Sequence, residues 1–180
     1  MTVQQSPRGP LRRAFDGFDR IAGHIDRVSQ IVIGVALLCA LVLLVGQVVV
    51  RYILPFPVPW LEEAATYLSA YIAMIGTAVC LRSSFHLQVD LLQIALSVRL
   101  QYYLVFFQNL LVFGFALFLF RYGIQFVELG WGQTSPSTYF MVSHARMAMP
   151  IGGALLMLQA IVMMGRALIA AHSPDEVSLV

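Results

Sequence analysis

Four long runs of apolar residues leave this chain very few folds. Val28–Val50, Ala64–Leu81 and Leu100–Phe120 contain no charged side chain, and a fourth run reaches from Met147 to Gly165 or on to Ala171. A bilayer core about 30 Å thick is crossed by about 20 residues of α-helix. Lipid offers no hydrogen-bond partner to an open backbone, so a spanning segment must satisfy its own N–H and C=O groups as a helix. A membrane barrel would need strands of alternating polarity, and these runs do not alternate. The expectation is an all-α integral membrane protein with transmembrane helices near 28–50, 64–81, 100–120 and 147–171. Residues 1–27 then form an N-terminal segment and 172–180 a short polar tail.

Charge content agrees. Only 11% of the 180 residues are charged, against roughly 25% in soluble domains. A soluble surface cannot be covered with so few. The net charge of +2 is spread along the chain, so nucleic-acid binding has little support. Cys39 and Cys80 form no C-x-x-C pair and sit in apolar runs, where packing is the simplest role. The first apolar run is too long for the core of a cleavable signal peptide.

Arginine placement predicts the orientation. Eight of the eleven basic residues fall before the first run, between the second and third, or after the fourth. The positive-inside rule then places both termini in the cytoplasm and the loop before the second run outside.

That outer loop ends in Val58-Pro-Trp-Leu-Glu-Glu63. Pro59 suits a first helical turn, and Trp60 suits the headgroup level. Glu62 and Glu63 would sit in the first turn of the second span, near the positive end of its dipole. Arg51, just past the first span, lies at the same membrane face and can reach one carboxylate. Adjacent helical residues point about 100° apart, so the other carboxylate is left for a partner, a headgroup or water. Plain interfacial anchoring fits equally well. General acid–base catalysis needs a buried pocket and a reacting group, and a helix end at the interface suggests neither.

Between spans two and three, His86, Asp90, Gln93 and Ser97 recur at helical steps. The segment 86–99 reads as an amphipathic helix lying in the interface, or as the start of the third span. Arg82, His86 and Asp90 are spaced by four and would form one row on a continuous helix; a solvated loop is the alternative. Phe15, Phe18, Ala22 and Ile25 predict a short surface helix ahead of the first span. The amides Gln47, Gln108, Asn109 and Gln159 are expected to bond between helices, and Gly76 and Gly152-Gly153 to allow close backbone approach. No acidic or basic residue lies near the middle of a span, which argues against an ion-coupled carrier acting alone. Paired haem histidines within the spans are also missing.

The ordered set Arg51-Tyr52, Trp60-x-Glu62-Glu63, Gly76, Arg82, His86-x-x-x-Asp90, Ser135-Pro136 and Pro150-x-Gly152 resembles the small membrane subunit (DctQ-like) of TRAP transporters, the tripartite ATP-independent periplasmic family. The resemblance covers about residues 25 to 170. It implies a non-catalytic subunit with no cofactor, metal or substrate site of its own. Its implied role is to brace a large sodium-coupled membrane subunit in the bacterial inner membrane. Substrate, an organic acid, would come from a periplasmic binding protein. Arg51, Tyr52, Trp60, Glu62, Glu63, Arg82, His86 and Asp90 become the expected contacts with these partners and with lipid. A small four-helix redox protein and a stand-alone exporter are the competing readings.

Overall fold

The computed structural model describes residues 10–53, 58–83, 98–135 and 141–172. Five helices appear there: α1 (Pro10–Ile53), α2 (Pro59–Ser83), α3 (Val98–Glu128), α4 (Val142–Arg146) and α5 (Ala148–His172). Four helical stretches among the described residues are long and apolar enough to cross a membrane: Gly17–Ile53, Pro59–Ser83, Tyr103–Glu128 and Val142–Ile169. The expected all-α bundle is therefore present. The segment 86–99, with His86 and Asp90, lies outside the described residues except for Val98 and Arg99, which open α3.

Prolines set several boundaries. Pro10 and Pro59 stand at the first helical positions of α1 and α2, where a missing N–H costs nothing and φ is already suitable. α1 is described to Ile53. Pro150 occupies the first turn of α5, again where its N–H is not needed.

Two helices outrun their apolar cores. α1 is continuous through the charged stretch from Arg12 to Arg27 and contains 44 residues, about 66 Å of rod. α3 continues past Arg121 to Glu128. It ends in a turn where Gly132 takes φ 82°, a left-handed conformation that glycine adopts without a Cβ penalty.

The packing order across the bundle is α1, α2, α5, α3. α3 lies along α5, α1 along α2, and α2 along α5. The centre is built from small side chains: Ala65, Ala78, Ala116, Ala148, Ala160 and Ala167 are all buried. Lipid tails are as apolar as leucine, so helices associate in a bilayer through close van der Waals fit, and small residues permit that approach.

Gly152 and Gly153 show it most directly. A Cβ added at Gly152 would lie 2.6 Å from Met74 Cβ on α2, and one at Gly153 would lie 2.8 Å from the Phe120 backbone N on α3. Consecutive residues diverge by about 100° around a helix, so the pair seats two neighbours against α5 at one level. Gly76 differs: a Cβ there would meet nothing within 4 Å, and its expected role in close approach is not seen.

Candidate functional site

Polar side chains gather at the two ends of the bundle. At the first end, α1 finishes and α2 begins. Gln47 Nε2 donates to Glu62 Oε2 at 2.9 Å, joining the two helices across their short connection. Glu63 accepts from the hydroxyl of Tyr67, one turn further along α2. The side chains of the adjacent acids thus diverge, as helical geometry requires.

Arg51 is exposed, and the donor to Glu62 is Gln47. Gln47 lies one turn before Arg51 on the same face of α1, a turn deeper in the bundle. Tyr52 is 85% exposed and Trp60 48% exposed. All three side chains, Arg51 included, are exposed at this end.

The same end is tied to α4. Tyr71 Oη donates to the His144 carbonyl, bringing α2 to the short helix. Arg146 Nη1 donates to the Phe126 carbonyl at 3.2 Å and its Nη2 to Gln133 Oε1 at 3.3 Å. Its guanidinium also lies 4.4 Å from the Phe126 ring centre. A cation there covers an orphan carbonyl of the last turn of α3 and meets the negative end of that helix dipole.

At the opposite end, three helices converge on one carboxylate. Arg166 Nη2 of α5 donates to Asp19 Oδ1 at 2.7 Å and to Oδ2 at 2.9 Å. Arg82 Nη2 of α2 reaches Asp19 Oδ1 at 3.3 Å, while its Nη1 donates to Gln159 Oε1 at 3.3 Å. Gln159 is buried. A Cβ at Gly23 would lie 3.3 Å from Arg82 Nη2, so the absent side chain lets the guanidinium lie close against α1. Asp19 is thereby the common acceptor for two arginines from different helices.

Sequence reasoning singled out Gln47, Glu62 and Glu63 at the first end and Arg82 and Gln159 at the second, but not the carboxylate that Arg82 meets. Arg82 was expected to align with His86 and Asp90; in the structure it bonds Asp19 and Gln159. Asp19 and Arg166 carried no expectation. Asp19-x-x-x-Gly23-x-x-Asp26-x-x-x-Gln30 is a polar stripe at helical spacing. That stripe was the available signal that α1 continues, with one face turned inward. Gln47 and Gln159 do bond between helices. Asn109 does not: its Nδ2 donates to Val105 O on its own helix at 2.8 Å.

Among the described residues no group of three or more His, Cys, Asp or Glu could hold a metal ion. Cys39 and Cys80 are free thiols on exposed surfaces. Among the described residues the polar geometry ties helices together at both ends.

Such an arrangement defines a class: a multi-pass helical membrane component whose polar groups serve assembly. The family model for Tripartite ATP-independent periplasmic transporters, DctQ component, matches residues 40–170, and the chain belongs to that family. It is a small, non-catalytic component of the inner membrane. Over 102 residues, 57% of this chain, it is 26% identical to the sialic acid TRAP transporter permease protein SiaT of Haemophilus influenzae (strain 86-028NP). The chain spans 17% of that protein's length.

Proposed function

We propose that this chain braces the large sodium-coupled membrane subunit of a TRAP transporter, for uptake of an organic acid delivered by a periplasmic binding protein. The observation that supports this most is the division of the bundle. Asp19, Glu62, Arg82, Arg146 and Arg166 fix helix to helix at the two ends, while long apolar faces stay outward. In the Val142–Ile169 helical stretch 44% of the apolar window is buried, but in Gly17–Ile53 only 6% is. A component with so much apolar surface and so rigidly tied a frame is suited to packing against another membrane protein and holding still.

The Glu62 end then faces the periplasm and the Asp19 end the cytoplasm, with both termini cytoplasmic. Residues 28–171 form the membrane domain between a cytoplasmic segment, 1–27, and a tail, 172–180. Arg51, Tyr52, Trp60, Glu62 and Glu63 are the proposed contacts with the large subunit or the docked binding protein. His86 and Asp90 are proposed contacts at the cytoplasmic face, and Arg82 supports them by holding the end of α2. The substrate class is an acid, in line with the sialic acid named for the relative.

The test is a mild-detergent purification of the tagged chain from its own membrane, followed by mass spectrometry and by uptake in vesicles. A large polytopic partner in near-equal amount, and uptake that depends on this chain, are the expected results. A chain that purifies alone and moves an acid across proteoliposomes without any partner would refute the bracing role.

A further inference from the structure

The first third of α1 carries a feature that neither helix-to-helix bonding nor the family assignment uses. A cavity of about 580 Å³ is lined by Arg20, His24, Asp26, Arg27 and Gln30 of α1, together with Asp19, Gly23 and Arg82. That volume lies within the roughly 300–1,000 Å³ of small-ligand sites. Its charges are unevenly committed. Asp19 is shared by Arg82 and Arg166, and Asp26 accepts from Gln30 Nε2 at 3.0 Å. Among the described residues nothing engages the Arg20 or Arg27 side chain. The lining thus offers two guanidiniums with no partner among the described residues, beside one buried carboxylate oxygen, Asp26 Oδ1, that lacks a donor.

What lies next along the helix narrows the ligand. Arg20, His24 and Arg27 recur at steps of four and three, and the same row continues as Ile31, Val35 and Leu38. These last three are 62%, 57% and 61% exposed. The stripe therefore has a cationic head and an apolar stem. From Arg27 to Leu38 it rises about 16 Å, close to one leaflet of a hydrocarbon core about 30 Å thick. A free anion would use the head and leave the stem uncovered. A molecule with a phosphate and an acyl chain uses both.

We propose that this pocket binds the headgroup of an anionic phospholipid, with the phosphate between Arg20 and Arg27 and an acyl chain along Ile31, Val35 and Leu38. Headgroup hydroxyls, where present, donate to the pocket's carboxylate and amide oxygens. The inference requires only that the bundle sits in a bilayer, so it stands or falls separately from the bracing role.

The full chain, stripped of lipid in detergent and titrated with phosphatidylglycerol, is followed by native mass spectrometry. A single tightly held lipid per chain is expected. Arg20→Gln with Arg27→Gln should weaken it by roughly thirtyfold. Arg20→Lys with Arg27→Lys should hold most of the affinity, separating loss of charge from loss of fold. Phosphatidylcholine, with no net charge, should bind about tenfold or more weakly. Equal affinity for the two lipids, or an unaltered affinity in a correctly eluting Gln variant, would overturn the site. Displacement of phosphatidylglycerol by an equal concentration of inorganic phosphate would also overturn it, by assigning the pocket to a free anion.

Discussion

α1 and α5 are both apolar enough to span a bilayer, yet they occupy opposite positions in the bundle. α1 shows Val35, Leu38, Leu41, Val42, Val45 and Val48 to the outside; α5 buries Gly152, Gly153, Leu156, Gln159, Ala160 and Met163. Hydropathy admits a helix to the membrane without ranking it there. Rank comes from side-chain size. Branched side chains keep neighbours at a distance and serve as well against lipid as against protein, whereas glycine and alanine let backbones touch.

The contrast can be broken at its strongest point. Gly153→Leu must push α3 away, because the nearest atoms to the new Cβ are backbone. Overpacking of this kind costs about 3 kcal/mol and should sharply lower the unfolding midpoint in a denaturing-detergent titration. Gly34→Leu on α1 meets nothing within 4 Å and should leave that midpoint within about 0.5 kcal/mol of the parent. Similar losses at the two positions would refute the ranking of the helices.

Asp19→Ala probes how α1 is held despite its small buried face. Losing one partner of a fully buried pair costs roughly 3–5 kcal/mol. Here the three side chains are 16–30% exposed, so solvent reduces the expected loss to about 1–2 kcal/mol. Proteolysis of the first 27 residues should accelerate in parallel. At the other end, Gln47→Ala removes one interhelical bond, worth about 0.6 kcal/mol. Arg51→Ala should have the smallest effect on stability, below about 0.5 kcal/mol. A defect in uptake or complex yield from that variant, with stability intact, would sharpen the case for Arg51 as a partner contact.

The spans were legible because a run without charge has few alternatives in a membrane chain. The helix ahead of the first span was legible in the spacing of Phe15, Phe18, Ala22 and Ile25; that it joins the span as one rod was not, because the criterion that finds a span stops at the first cluster of charges, while a helix does not. The Asp19 junction was hidden for a related reason. Its partners are 63 and 147 residues away in sequence, and a carboxylate among arginines in a polar segment reads as surface. Glu62 was placed correctly at the start of α2. Its partner is the neutral Gln47, one turn before Arg51 on the same face of α1; charge drew attention to the arginine and away from the amide.

The two attachments of α1 have a mechanical meaning. Asp19 and Gln47 lie 28 residues apart on one unbroken helix, about 42 Å along its axis. A rod fastened at a single point can pivot; one pinned at both ends of a span that long resists bending and tilting. Any load placed on the outer face of α1 by a moving neighbour or a thinning bilayer is therefore shared with α2 and α5. The bundle answers such a force as a truss, and its stiffness rests on a few polar bonds at the joints.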